Sequence, residues 1–242
     1  MCIKQANIKT NRKLSPDEIL YEDNHIIIVN KRPSDIVQGD KTGDVPLSEV
    51  VKQYLREKYN KPGEVFVGVV HRLDRPVSGA VIFARTSKAL ARLNEMIRDR
   101  KISKIYWAVS CEKPAAEEER LVHYLRKNQK KNTSYAYDED GPGRLKAELG
   151  YRYLCSSDNY HLLEVELYTG RHHQIRVQLA AIGCVIRGDL KYGAKRPNKD
   201  ASIQLHARKL SFIHPVRKEP LEIIAPVPDD KVWKYFESIM ED

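Results

Sequence analysis

The chemistry this chain can offer is concentrated in one short stretch, residues 69–85, VVHRLDRPVSGAVIFAR. His71, Arg72, Asp74 and Arg75 are followed by Pro76, Ser78 and Gly79, and the group is bracketed by apolar runs at 65–70 and 80–83. Gly and Pro break regular structure, which places these charges on a loop between two core strands. One carboxylate among basic neighbours at a strand end can act as a nucleophile or a base. It must be ionised to do either, and a guanidinium held against it favours that form. The same residues would also suit an ordinary solvated hairpin turn, because loops are polar for reasons unrelated to function.

Two other stretches carry groups that could join Asp74. In TGRHHQIRVQLAAIGCVIRGD, 169–189, a helix over 174–182 would put Gln174 and Gln178 on one face and turn Arg176 inward among apolar neighbours. A buried arginine needs an anion, and Asp74 is one candidate. His172 and His173 are adjacent, not spaced i, i+4 as in a helical zinc site, so even with Cys184 nearby no metal is expected. They read as hydrogen-bonding or phosphate-facing groups at a helix start. Asp189 reads as a turn residue. In KISKIYWAV, 101–109, Lys104 and Tyr106 sit on a strand. Tyr106 could stack on a base, worth about 1–3 kcal/mol, or simply fill the core. No P-loop, GxGxxG, GxSxG or HExxH occurs, so nucleotide hydrolysis, dinucleotide redox chemistry and serine hydrolysis lack their usual supports.

The elements that must position these groups follow from patterning. Strands are expected over 20–29, on both sides of the charged loop, and at 105–109, 147–154, 161–168, 203–212 and 221–225. Helices are expected at 47–58, after a Ser87 cap with Leu90, Leu93 and Ile97 inward, at 174–182, and at the end around Trp233 and Phe236. Residues 31–45 read as a long loop. Residues 112–145, with Arg126, Lys127, Lys130 and Lys131, read as a basic insertion or hairpin over a substrate surface. Strands outnumber helices and several are neighbouring hairpin pairs. The expected fold class is therefore α+β, a mixed, largely antiparallel sheet flanked by helices and loops. A flexible arm at 1–18 is expected to precede a single domain at 19–242.

Composition narrows the partner. The 242 residues contain 42 Lys and Arg against 33 Asp and Glu, a net charge of +9, which favours a polyanion such as nucleic acid. At 41% hydrophobic residues a packed core is within reach. No apolar segment approaches 18 residues, the start MCIKQANIKTNRKL lacks a signal-peptide core, and the four cysteines form no CxxC. No membrane association and a reducing cytoplasm are expected. No heptad pattern or apolar stripe points to an obligate protein partner, so a monomer is the default.

HRLDRPVSG at 71–79, KIYWAV at 104–109, TGRHHQIRVQLAAIG with GDLKYG over 169–193, QLHARKLSFIHP at 204–215 and ILYEDNHIIIVNKRP at 19–33 occur in the order found in one family. The chain resembles the RluA family of pseudouridine synthases over about 19–225. The resemblance implies a pseudouridine-synthase-like fold that isomerises uridine in structured tRNA or rRNA without cofactor or metal, after flipping the base. Asp74 would be the catalytic aspartate, attacking either sugar or base. Tyr106 would pack on the flipped uracil and assist proton removal, and Arg176 would pair with Asp74. Substrate binding would fall to Arg72, which fills the vacated stack, to Leu205 beside the uracil, and to His71, Arg171, His173 and Gln174. Three departures stand out. Pro76-Val77 replaces the family's Asp-Thr, removing a hydroxyl from the catalytic loop. KRPSD replaces Lys-Pro-x-Gly. The expected arm is too short for the extra RNA-binding domain of many relatives, which would leave target choice to the catalytic domain, with 112–145 a candidate. A non-catalytic RNA-binding or RNA-folding protein on the same scaffold, motivated by Pro76-Val77, is the alternative, and a small-molecule hydrolase would need a second catalytic carboxylate, for which Asp189 is the nearest candidate.

Overall fold

Ile26, Ile27, Ile28 and Val29 are consecutive and wholly buried. Successive strand residues point to opposite faces, so an unbroken buried run requires cover on both sides. The computed structural model, which describes residues 12–241, supplies that cover. Strand β2 (Ile26–Lys31) lies between β1 (Ile19–Glu22) and β4 (Ser78–Ala84). Ile27 and Val29 pack with Phe83 and with Val50, Val51 and Leu55 of helix α1 (Leu47–Lys58). Ile26 and Ile28 pack on the other face with Ile82 and with Ala89 and Leu93 of α2 (Ser87–Arg98). The expectation at 47–58 is met to the residue. The cap of α2 is Thr86 rather than Ser87, its hydroxyl accepting the Ala89 N–H at 3.1 Å. The single strand expected over 20–29 is a hairpin instead, because the Asp23 carboxylate accepts the His25 and Ile26 N–H groups and turns the chain.

The remaining strands are β3 (Gly68–Val69), β5 (Ser103–Ser110), β6 (Glu118–Asn128), β7 (Thr133–Tyr137), β8 (Leu145–Ser156), β9 (His161–Leu167), β10 (Leu205–Ile213) and β11 (Pro220–Ile224). Among the described residues all eleven join one sheet in the order β1-β2-β4-β10-β5-β9-β8-β6-β7, with β3 on β4 and β11 on β10. Every pairing is antiparallel except β4 with β10. The class is the expected α+β. Of the apolar run at 65–70 only Gly68 and Val69 pair as strand. The basic stretch at 112–145 forms the hairpin β6–β7, and β6 pairs with β8 from Glu118–Arg152 to Leu125–Leu145, so it extends the sheet.

Helix α3 (Gln174–Ala181) has six successive buried residues, Gln174 to Leu179. The sequence suggested one apolar side. The structure instead wedges the helix between the main core, which takes Ile175 and Leu179, and the hairpin, where Val177 meets Leu125. A helix covered all round buries its polar residues too, and this is how Arg176 comes inside. Helix α4 (Lys231–Glu241) closes the far face with Trp233 and Phe236 against Trp107 and Leu162. Residues 1–11 of the expected arm lie outside the described residues. Within 12–18, Leu14 and Glu18 are buried, and Glu18 accepts the Ser15 N–H at 2.8 Å. Among the described residues no helix is long and apolar enough to cross a membrane.

The parallel β4–β10 junction sets where the charged loop ends. Ser78 pairs with His206 and Gly79 with Ala207, and Ser78 Oγ lies 2.9 Å from His206 Nδ1. Gly79 has φ +114°, and a Cβ there would stand 2.5 Å from the Ala207 nitrogen. Gly79→Ala therefore combines left-handed strain with a backbone clash and is expected to cost at least about 3 kcal/mol. A urea midpoint unchanged from wild type would contradict this.

Candidate active site

Asp74 sits on the loop between β3 and β4, and that loop is anchored carbonyl by carbonyl. Val77 N–H donates to Asp74 O at 3.0 Å, Ser34 N–H to Arg75 O at 2.9 Å, and Ile203 N–H to Pro76 O at 3.1 Å. Lys31, 1% exposed, donates through Nζ to the carbonyls of Arg32, Arg75 and Val77 at 2.9, 3.1 and 2.7 Å. Burial pushes this lysine down to about 7, while the charges of Asp35 and Asp74 act in the other direction. Three carbonyl acceptors match the three donors of an ammonium. These bonds explain how the loop keeps its shape with Pro76-Val77. Proline had no N–H to lose, and Val77 is buried in the core with Leu73 and Leu205. Apolar packing and a lysine beneath the loop stand in for the missing hydroxyl.

Arg176 comes to Asp74 from α3, 102 positions away in sequence, with Nη1 3.0 Å from Asp74 Oδ2. Its Nε and Nη2 form a two-pronged contact with Asp189, at 2.7 Å to Oδ2 and 2.8 Å to Oδ1. The side chains of Arg176 and Asp189 are 5% and 1% exposed, whereas that of Asp74 is 30% exposed. Burial by itself would lower the arginine's pKa. The hydrogen bonds it donates to Asp189 and the charges of both carboxylates outweigh it and hold the guanidinium above its ordinary value. Asp189 lies at the turn expected of it, as the cap of Leu190–Tyr192, and is also the buried anion that secures Arg176. The fork leaves Nη1 for Asp74, so one guanidinium serves a buried and an open carboxylate.

The rest of the wall is aromatic and apolar. Tyr106, 6% exposed on β5, packs with Leu73, Val77 and Leu205, and pairs with Ala207 in the ladder. Burial, with a further contribution from the Asp74 charge, raises its pKa well above that of a free phenol. It is a neutral ring at physiological pH. Leu205, 3% exposed, opens β10.

The other residues singled out from the sequence have different surroundings. His71 turns back onto β4, its Nε2 accepting the Ile82 N–H at 3.2 Å, and burial followed by the Lys104 charge pushes it down to about 3. Arg72 is exposed and makes no ion pair among the described residues. Arg171 is exposed and donates to Lys146 O at 3.1 Å. Gln174 is occupied within the fold, accepting from Thr169 Oγ1 and Arg171 N–H and donating to Glu148 O.

His173 is close to the centre. Its Nε2 lies 3.6 Å from Asp74 Oδ2, beyond hydrogen-bond length, and its Nδ1 lies 2.9 Å from Tyr192 Oη. Tyr192 also accepts the Ser134 N–H at 2.8 Å, and its ring lies 5.1 Å from the Arg176 guanidinium. His172 stacks on His173 at 3.8 Å and reaches Ser134 Oγ and Asn132 Oδ1 at 2.9 and 3.1 Å. The tip of the β6–β7 hairpin is thus bonded to His172 and, through Tyr192, to His173, which stands beside Asp74. Lys31, Ser134 and Tyr192 were missed from the sequence. The only signal for the last was its place in GDLKYG.

These histidines make stability depend on pH. Burial pushes His71 and His173 down to about 3 and His206 down to about 4. The unfolded chain takes up protons on all three near pH 6.5, while the folded chain does so only near pH 3–4. Acid therefore favours unfolding. The stabilisation is complete above about pH 6.5 and is lost as pH falls through that window, at about 1.4 kcal/mol per pH unit for each histidine. Urea titrations at pH 6.5 and pH 5 should differ by several kcal/mol. Equal values would show that these rings protonate as readily in the folded chain.

Comparison with known proteins agrees with the geometry. A family model described as RNA pseudouridylate synthase matches residues 25–181. The ribosomal large subunit pseudouridine synthase D of Zymomonas mobilis is 32% identical over 226 residues, covering 89% of this chain and 70% of that one. The protein of the same description from Haemophilus influenzae is 35% identical over 236 residues, covering 90% and 69%. Among solved structures, human RNA pseudouridylate synthase domain containing 4 superposes with a TM-score of 0.75 at 21% identity, covering 90% of this chain and 91% of that one.

Proposed function

Because the chain belongs to the RNA pseudouridylate synthase family, within its RluA group, and is accordingly an isomerase acting on RNA, we propose that Asp74 is its catalytic carboxylate and that its substrate is a uridine in large-subunit ribosomal RNA. The choice of RNA follows the names of the relatives from Zymomonas mobilis and Haemophilus influenzae. In the reaction the N1–C1′ glycosidic bond breaks, the uracil turns, and a C5–C1′ bond forms. N1 gains a proton and C5 loses one, so no other reactant is consumed. The observation that carries the reading is the half-open Asp74 carboxylate held 3.0 Å from a guanidinium that Asp189 anchors from behind. That arrangement presents an oriented, partly exposed carboxylate close to the Tyr106 ring, which packs with Leu205.

A base inside RNA must first leave its stack, at a cost of a few kcal/mol. The exposed Arg72 beside Asp74, without an ion pair among the described residues, is suited to fill the gap, and the Tyr106 ring to receive the uracil. The neutral state of Tyr106 bears on its role. It serves as a packing surface and as a hydroxyl that passes on a proton, not as a standing phenolate. The reading of an RNA-binding scaffold without chemistry draws on Pro76-Val77, and the retention of Asp74 argues against it.

The test is a pseudouridine map of total RNA from cells whose only copy is wild type or Asp74→Ala. At least one position in large-subunit ribosomal RNA should lose its modification in the variant. Identical maps would overturn the proposal.

A further inference from the structure

Both donors that face Asp74 converge on one of its two oxygens. Arg176 Nη1 lies 3.0 Å and His173 Nε2 3.6 Å from Oδ2. Oδ1 has no hydrogen-bond partner among the described residues, so it is the oxygen left for the uridine. Each donor has its own support, and both supports come from one short stretch of chain. Asp189 holds Arg176. Tyr192, at the end of the turn Leu190–Tyr192 that Asp189 caps, lies with its Oη 2.9 Å from His173 Nδ1.

The hydrogens of this network have one favourable placement. Ser134 N–H meets Tyr192 Oη at 2.8 Å and, as a backbone N–H, can only donate. The tyrosine keeps its own hydrogen and one lone pair for His173 Nδ1. His173 is neutral, because burial pushes it down to about 3 against the pull of the Asp74 charge. It therefore carries one hydrogen, on one ring nitrogen. With that hydrogen on Nδ1, a bare Nε2 lone pair would face a carboxylate. With Tyr192 donating to Nδ1, the hydrogen sits on Nε2 and faces Asp74 Oδ2. Electrostatics selects the second arrangement, since the bond made by one ring nitrogen fixes the state of the other. A separation of 3.6 Å is long for a hydrogen bond, but catalytic hydrogen bonds are commonly long until substrate binds.

The backbone is bent to the same end. His173 precedes α3 in the left-handed region, with φ 55° and ψ 26°, and its side chain does not cap the helix. A residue with a side chain is held there at a cost, and such residues cluster at functional sites. The His173 ring is stacked on His172 with centroids 3.8 Å apart and stands edge-on to Tyr192 at 5.7 Å. The Tyr192 ring also lies 5.1 Å from the Arg176 guanidinium, so one side chain touches both donors.

We propose that Tyr192 is a positioning residue for the isomerisation: its hydroxyl donates to His173 Nδ1, selects the tautomer whose Nε2–H steadies Asp74 Oδ2, and so keeps Oδ1 turned to the uridine. The proposal rests on the assignment of Asp74 made above. Tyr192 acts through His173.

Tyr192→Phe keeps the ring beside Arg176 and His173 and removes only the hydroxyl. His173→Asn suits the left-handed backbone and keeps an amide near the place of Nδ1, but it has no donor at the place of Nε2. The probe is RNA from cells lacking this protein, with pseudouridine followed under single-turnover conditions at saturating enzyme, and filter binding for Kd. Tyr192→Phe should slow the saturated rate about 10- to 100-fold, the range for one hydrogen bond to a charged group, with Kd within about twofold. His173→Asn should slow it by a similar factor. Adding Tyr192→Phe to His173→Asn should change the rate by less than about threefold, because the arm through which the hydroxyl acts is already gone. A tyrosine with a merely structural role would slow both backgrounds alike. Multiplying losses in the double variant overturn the proposal, and so does a wild-type saturated rate in folded Tyr192→Phe or a loss confined to Kd. If Tyr192→Phe does not fold, His173→Asn decides, and a wild-type saturated rate there overturns the proposal. Asp74→Asn run alongside separates the two readings. Turnover by that variant would show the assignment of Asp74 to be wrong, whereas an inactive Asp74→Asn beside a fully active Tyr192→Phe overturns the role of Tyr192 alone.

Discussion

Replacing Asp189 by asparagine is expected to destabilise the protein by about 3–5 kcal/mol, the range for a buried ion pair that loses one partner. Asp189 is 1% exposed and holds Arg176 by two hydrogen bonds of 2.7 and 2.8 Å. Asparagine keeps the size and one carbonyl acceptor but removes the charge. The guanidinium is then left inside the fold with only Asp74, which is 30% exposed and therefore a weaker partner. For a chain of this length the loss corresponds to a fall in melting temperature of roughly 6–20 °C. Turnover should fall as well, because an Arg176 drawn towards Asp74 no longer presents the carboxylate in one orientation. Calorimetry on the purified variant decides the matter. A melting point within about 2 °C of wild type would mean that Arg176 is secured by something other than Asp189.

The opposite phenotype is expected at the other carboxylate. Asp74→Asn should abolish pseudouridine formation, by about 10⁴-fold or more, since it removes the carboxylate proposed to react. It should change stability by no more than about 1 kcal/mol, because Asp74 is partly solvated and Arg176 keeps both bonds to Asp189. RNA affinity should be retained, since Arg72, the basic run at 126–131 and Tyr106 are untouched. The two variants share one guanidinium partner and one isosteric change, so the contrast isolates burial as the cause. Measurable turnover by Asp74→Asn under single-turnover conditions would remove Asp74 from the chemistry. A large loss of stability would instead show that it is structural.

Much of this arrangement was legible before the fold was known. Unbroken apolar runs such as 26–29 and 80–83 marked core strands, and helical spacing marked 47–58. Asp74, Tyr106 and Arg176 were picked out by their residue types and by the order of the motifs around them. The basic run at 126–131 was located correctly, and its hairpin form was one of two readings left open. What the sequence left out was the partners. The Gln174 amide, a candidate substrate contact, is also held within the fold by Thr169, Arg171 and Glu148. Asp189 lies at the turn expected of it and in addition anchors Arg176. In each case the added partner is not a neighbour in the motif.

By itself, the sequence determined composition, charge, the order of elements and which residues can do chemistry, because periodicity and residue type are local properties of the chain. Only the tertiary structure decided which of those residues meet. Asp74 and Arg176 are 102 residues apart and come within 3.0 Å because β4 pairs with β10 and α3 is trapped between the core and the hairpin. Lys31 reaches the catalytic loop because β2 pairs with β4, placing its Nζ beneath the Arg75 and Val77 carbonyls. His173 and Tyr192 join the hairpin to the centre through Ser134, on a strand more than thirty residues away from both. Strand register and helix burial set these distances, and both result from packing the whole chain.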